Sequence, residues 1–379
     1  MSTCILHVGA AKTGTSAIQE SLFYGLGDPR FRYVNLGYLN AGSFLDSVFN
    51  PEPEKYWYYQ MQNWSSETIR RHGQIHERRL RKLLRQCRSS QVTPILSAER
   101  CWVASTPLLE RLRDFLAAEG FVVRVVAYVR PAKSWIESAF QQKAKLDRSR
   151  MPLRDAMRDR DFIGEIEWVD KLANFERVFG QGSVMVRPFR RSALLGGCVV
   201  LDFCNSLGIR FESQAVRRVN ESLPLDAVRM LYAYNRFARA DAPPGLGANE
   251  TMEMEFQRMQ GEPFRFHSSF VAPLADHIEA QNRRLLDRYG VDLSEDLTAS
   301  DGGPCIRDES GLFEYRSTSL AWLGRISGEA TIAAGSGELT ARKVAGQVAV
   351  AMRRPHLRCR LEIFLRRVRF RLRWLRCGD

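Results

Sequence analysis

The sequence predicts an α/β fold in which a mostly parallel sheet is flanked by helices in three layers, of the phosphate-loop nucleotide-binding type. Two observations carry this. Apolar, β-branched runs at residues 4–8, 92–96 and 122–129 are short and nearly unbroken, as strands buried on both faces are. They alternate with helical patterns through about residue 210.

The first run opens onto a loop, Gly9-Ala10-Ala11-Lys12-Thr13-Gly14-Thr15-Ser16, and then onto a helix through residues 17–22. Strand, glycine-bounded loop and helix make a phosphate cradle, because backbone N–H groups converge at the helix N-terminus. In nucleoside triphosphatases the lysine directly follows the second glycine. Here Thr15 follows Gly14, and Lys12 stands two residues before it. The ammonium therefore sits on the opposite limb of the loop, with hydroxyls at Thr13, Thr15 and Ser16.

Lys12-Thr13-Gly14-Thr15-Ser16, preceded by Leu6-His7-Val8-Gly9 and followed by Gln19, resembles the opening of bacterial carbohydrate-type sulfotransferases. Those enzymes use 3′-phosphoadenosine 5′-phosphosulfate (PAPS). The resemblance implies that Lys12, Thr13, Gly14, Thr15 and Ser16 hold the 5′-phosphosulfate. It further implies that Lys12 stabilises the transferring sulfuryl group and the leaving phosphate, without a metal.

PAPS carries a 3′-phosphate as well, which requires a second anion site. The strand of residues 122–129 ends at Arg130, Pro131 stops it, and Ser134 is placed to cap a helix through residues 135–140. A guanidinium at a strand's carboxyl end suits bidentate phosphate binding. Arg130 and Ser138 match the family's 3′-phosphate motif; the alternative is an ordinary ion pair at a strand end. A weaker likeness at Arg217, Arg218 and Asn220 suggests a loop over the 3′-phosphate end, against a simple helix cap at Ser222.

The run at residues 92–96 leads to Ser97-Ala98-Glu99-Arg100. Functional groups of open parallel sheets sit just past the strands' carboxyl ends, and the family has a glutamate there, so Glu99 is the candidate general base. Its alternative is an ion pair with Arg100 or another surface cation. His7 is a rival base, though it lies inside the first strand, and His72 and His76 rank behind it. Tyr56, Trp57, Tyr59 and Trp64 form an aromatic cluster within residues 51–64 that either stacks on a sugar or packs an insertion onto the domain.

The resemblance covers roughly residues 1–290. The expected organisation is a sulfotransferase domain at 1–295, a linker-like extension at 296–340 and a basic tail at 341–379. The 379-residue chain carries a net charge of +13. Twelve arginines and lysines against two acids in the tail account for most of it. Leu357, Leu361, Phe364, Leu365, Val368, Leu372 and Leu375 make one apolar stripe among arginines, with Trp374 suited to an interface. Such a basic amphipathic helix reads as an anchor on an anionic membrane surface, with a partner-binding helix or non-specific nucleic-acid contact as alternatives.

Met1-Ser2-Thr3 is followed by neither a basic region nor a long apolar stretch, so no signal peptide is expected, and no apolar run is long enough to span a bilayer. The eight cysteines form no C-x-x-C pair, and with six histidines no zinc site is expected. The expectation is a cytoplasmic enzyme, peripheral to the membrane if the tail anchors it. It would move a sulfuryl group from PAPS to a glycan or glycolipid hydroxyl, with no specific nucleic-acid partner. The alternatives are a nucleoside or sugar kinase with an altered phosphate loop and a non-catalytic nucleotide-binding or membrane scaffold protein.

Overall fold

A computed structural model describes residues 1–146, 166–217, 222–238, 250–299, 301–354, 359, 361–365 and 368. The chain divides into two compact units. The first comprises Met1–Pro131, Glu167–Asn220 and Glu279–Ser294; the second comprises Ala132–Ile166, Glu221–Ile278 and Glu295–Asp379.

The first unit starts with β1 (Ser2–Gly9), α1 (Thr15–Gly25), β2 (Phe31–Tyr33), α2 (Gly42–Phe49), α3 (Trp57–Met61) and α4 (Ser66–Ser89). It continues with β3 (Thr93–Ser97), α5 (Thr106–Ala118) and β4 (Phe121–Val129). After α6 (Ala132–Leu146), which belongs to the second unit, it resumes with α7 (Trp168–Phe179), β5 (Val184–Pro188) and α8 (Val199–Ser206). The five strands form one sheet in the order β2-β3-β1-β4-β5, every pair parallel. Cys4, Leu6 and Val8 of β1, and Val125 to Val129 of β4, are fully buried, as strands covered by helices on both faces require. β1 is central, with β3 and β4 as its neighbours. Because all strands run the same way, the loops leaving β1, β3 and β4 emerge along one edge of the sheet.

Helix α4 buries Ile69, Leu80, Leu83, Leu84 and Cys87 and turns its arginines outward. Ser65 caps it by accepting the Thr68 N–H at 3.2 Å. Arg81 and Arg85 both reach Glu119, just after α5, which lies almost fully buried.

The second unit continues with α9 (Leu225–Phe237), α10 (Glu250–Gln257), α11 (Ala275–Tyr289), β6 (Glu314–Tyr315), α12 (Ser317–Ser327), β7 (Gly335–Ser336) and α13 (Glu338–Arg353). The greater part of α11 falls in the first unit. Residues Leu225 to Asn235 of α9 are all buried, so this helix is central to the unit. Asp226 accepts hydrogen bonds from Arg229 at 3.2 Å and Arg316 at 2.7 Å, and Ser319 donates to it as well. Asn235 donates to the Ala144 carbonyl at 2.9 Å, which ties α9 to α6.

Two expectations change here. Helix α6 begins at Ala132, directly after Pro131, so Ser134 lies within its first turn and is not its cap. The pyrrolidine ring fixes a helix-compatible φ, which lets the helix start at once. Residues 296–353 also carry more structure than a linker and a free tail. They hold α12 and α13, and α13 buries Ala341, Val344, Ala345, Val348 and Met352 at helical spacing. A chain cut at residue 340 would lose this packed helix along with the tail. Leu361, Phe364 and Leu365 are exposed. Leu357, Leu372 and Leu375 of the expected stripe lie outside the described residues, as do Trp374, the tail arginines after residue 365, Arg218 and Asn220. Among the described residues no helix is long and apolar enough to cross a membrane.

Candidate active site

The phosphate loop leaves β1 at Gly9 and ends where α1 begins at Thr15. Gly14 has φ +79°, and a Cβ there would lie 2.8 Å from both Phe189 and Val199. Gly9 is needed for a different reason: a Cβ on it would overlap the Thr15 hydroxyl. Thr13 donates its hydroxyl to the Ala10 carbonyl at 2.6 Å and draws the loop closed. Lys12 adopts φ +68°, a left-handed conformation unusual for a residue with a side chain. Ala17 and Ile18 donate back to the Gly14 carbonyl at 3.0 and 3.2 Å, so the first turn of α1 closes directly on the loop.

Glu99 opens a 3-10 turn (Glu99–Val103) just beyond β3. Burial raises its pKa above the usual carboxylate range; the Lys12 ammonium, then the Thr15 hydroxyl and the Asn40 amide, pull it back part of the way. The structure thus brings Lys12 and Glu99 within electrostatic reach of one another. Asn40 Nδ2 donates to Glu99 Oε2 at 3.3 Å. The Thr15 hydroxyl favours the charged form of Glu99, yet it is buried without a well-aligned hydrogen bond. A buried hydroxyl with no settled partner, packed against Gly9 at the start of α1, suits a phosphoryl or sulfuryl oxygen.

Arg100 does not pair with Glu99. Its Nε lies 2.7 Å from Asp46, which is fully buried, and its guanidinium lies 5.0 Å from the centroid of the Tyr56 ring. Sequence reasoning missed Asn40 and Asp46. Neither belongs to a motif, and each meets the 99–100 turn only through the packing of the segment after β2.

Arg130 follows β4, as expected. Its Nη1 donates to the Lys12 carbonyl at 3.0 Å, and its guanidinium lies 5.5 Å from the Phe189 ring centroid. It therefore braces the phosphate loop. Ser138 lies buried in α6 of the second unit. Arg217 stacks 4.0 Å over the Tyr24 ring, and its N–H donates to Ser21 at 2.9 Å.

The rival bases belong to the packing. His7 is fully buried, with Nδ1 2.8 Å from Ser97 Oγ and its ring centroid 5.2 Å from that of Phe203. Ser97 also accepts from Gln19 at 3.1 Å, so it braces β1 and α1. His72 contacts Ser47 at 3.1 Å, and its ring lies 5.0 Å from Trp64, which stacks on buried Tyr59. His76 Nδ1 lies 2.9 Å from the His72 carbonyl. Tyr59 and Trp64 thus pack the insertion onto α4, whereas Trp57 is 58% exposed and Tyr56 turns to Arg100.

Burial pulls the His7 pKa down to about 3 and that of His72 to about 4. Both are held neutral by the fold, so the unfolded chain takes up their protons first as pH falls through the ordinary histidine value. Stability should decline below about pH 6.5, and His7 should contribute about 1.4 kcal/mol per pH unit down to about pH 3. Melting temperatures between pH 7 and 4.5 should fall less steeply for His7→Gln than for the wild type. Equal slopes would remove His7 as a cause.

Fold and site together define an α/β protein with a phosphate-loop cradle and a carboxylate within electrostatic reach of its lysine. No model of a known protein family matches the chain. An uncharacterized protein of Archaeoglobus fulgidus is 26% identical over 132 residues, which span 30% of this chain and 34% of that protein. The chain thus covers about a third of the length of this curated relative. A sulfotransferase from Alicyclobacillus acidocaldarius superposes with TM-score 0.37 at 13% identity, over 77% of this chain and 97% of that one. A sulfotransferase domain from the curacin biosynthetic pathway gives TM-score 0.32 at 10% identity, over 59% and 79%. At identities and scores this low, function has to be read from the side chains.

Proposed function

We propose that the protein is a sulfotransferase that moves the sulfuryl group of PAPS to a hydroxyl of a glycan or glycolipid. The observation that carries this reading is that Lys12 and Glu99 follow the carboxyl ends of the neighbouring parallel strands β1 and β3, within electrostatic reach of one another. A triphosphatase loop puts its lysine on the helix side; here the ammonium stands within electrostatic reach of a carboxylate that burial has made more basic.

Glu99 accepts the proton of the acceptor hydroxyl as its oxygen bonds to sulfur and the bond from sulfur to the 5′-phosphate oxygen breaks. Lys12 and the loop amides stabilise the charge that develops on the sulfuryl oxygens and on the departing phosphate. Thr15 and Ser16 add hydroxyl donors at the start of α1. The 3′-phosphate is assigned to Arg130 and Ser138 by the sequence motif, with Arg130 also bracing the Lys12 carbonyl. Bound PAPS supplies the activated sulfuryl group. The exposed Trp57 ring and the neighbouring Tyr56 favour a sugar-bearing acceptor, because such rings stack on pyranose faces.

Calorimetry tests the donor assignment without knowledge of the acceptor. Adenosine 3′,5′-bisphosphate should bind at least tenfold more tightly than AMP, and Arg130→Ala should remove most of that preference. Equal affinities for the two nucleotides in the wild type would overturn the assignment of Arg130 and Ser138.

A further inference from the structure

We infer that Asn40 is a positioning residue that holds the Glu99 carboxylate in its working orientation and favours its charged form. The inference rests on the reading of Glu99 as base. Asn40 sits in the loop between β2 and α2, and its two amide atoms have separate partners. Oδ1 accepts the Gly42 N–H at 2.9 Å, while Nδ2 donates to Glu99 Oε2 at 3.3 Å. The Gly42 N–H requires an acceptor, so the amide cannot flip without breaking that bond. Its donor end is therefore committed to Glu99.

The loop itself is held against the base at three further points. The Ala41 N–H donates to the Ser97 carbonyl at 2.8 Å, which ties the loop to the end of β3. A Cβ on Gly42 would lie 2.8 Å from Arg100 Cβ, so only glycine lets α2 begin so close to the 99–100 turn. Buried Asp46, one turn further along α2, pairs with Arg100 Nε at 2.7 Å. These contacts leave little freedom in the distance from Asn40 to Glu99. A hydrogen bond given to a carboxylate stabilises the anion, and here it acts in the same direction as Lys12.

Of the other groups around Glu99, the Thr15 hydroxyl acts in the same sense but makes no well-aligned hydrogen bond, so Asn40 is the donor whose direction is fixed. Lys12 is a cation from the phosphate loop, and the Tyr33 and Tyr56 phenols are pushed to higher pKa by burial and stay neutral. Asp46 is also raised by burial, but its partner is Arg100.

The test compares pH–rate profiles of the wild type, Asn40→Asp and Asn40→Ala, read as ³⁵S transfer from labelled PAPS to a cell-envelope extract. Asn40→Asp keeps an acceptor for the Gly42 N–H and preserves the turn, but it sets an anion where the donor was. Its acidic limb should move up by roughly one to two pH units, and that of Asn40→Ala by a smaller step in the same direction. Transfer at pH 6 should fall about tenfold in Asn40→Asp and recover at alkaline pH. Should Asn40→Ala fail to fold, Asn40→Asp decides alone.

Unmoved acidic limbs in both variants would overturn the inference. So would a wild-type profile for Asn40→Asp beside an Asn40→Ala that is impaired equally at all pH values, which is the pattern of a residue that only shapes the turn. Glu99→Gln separates the two layers of the argument. If that variant still transfers sulfate at the wild-type rate, the base assignment itself fails; if it is inactive while the Asn40 variants keep the wild-type limb, only the present inference fails.

Discussion

Lys12→Ala should lower sulfuryl transfer about a thousandfold while leaving the fold intact. The loop survives because Arg130 holds the Lys12 carbonyl, which alanine retains. The Thr13 bond to Ala10 and the turn at Gly14 are equally independent of the lysine side chain. What disappears is the ammonium, and its loss acts twice. No cation then meets the developing charge on the sulfuryl and phosphate oxygens, and Glu99 loses the largest influence that lowers its pKa. The deficit should therefore be deeper at pH 6 than at pH 8, a pH dependence that a purely structural lysine would not produce. ³⁵S transfer at the two pH values, with melting temperature as the control for folding, measures both parts. A variant that transfers at the wild-type rate would refute the catalytic role of Lys12.

Glu99→Gln should lower the transfer rate by about two to four orders of magnitude and at the same time stabilise the protein at neutral pH. The sign follows from the raised pKa. The unfolded chain releases this proton at the ordinary glutamate value, whereas the folded chain holds it to higher pH. Stability is therefore lost as pH rises from the ordinary value through the folded one. Glutamine has no proton to release and keeps the shape, with its Oε1 still able to accept from Asn40. Wild type and variant should melt together in acid, and the variant should melt higher near pH 7. Loss of activity with gain of stability marks a group retained for chemistry. A variant both inactive and less stable at pH 7 would point to a structural role for Glu99.

The parts of this protein legible from sequence are those built locally. β1, its loop and α1 form one continuous stretch, so apolar run, glycines and helix could be read in order, and Lys12 stood out against a known spacing. Strands β3 and β4 were legible for the same reason. β2, only three residues long, was not, and neither was the order β2-β3-β1-β4-β5, because parallel pairing is settled by distant segments. The second unit escaped notice because three separated stretches build it, and the buried face of α13 meets α9 more than a hundred residues away in the chain. The site divides along the same line. Glu99 was found from its place after a strand; Asn40, 59 residues away, has no signature until the loop after β2 is folded against it.

The left-handed backbone of Lys12 has a consequence for how this chain changes under selection. A side chain in that conformation is strained by about 1 kcal/mol or more, and glycine would relieve it. A screen that rewards only heat resistance should therefore favour glycine at residue 12, and each such gain would empty the site of its cation. Mutant libraries of this protein sorted by melting temperature and by turnover should rank residue 12 in opposite orders.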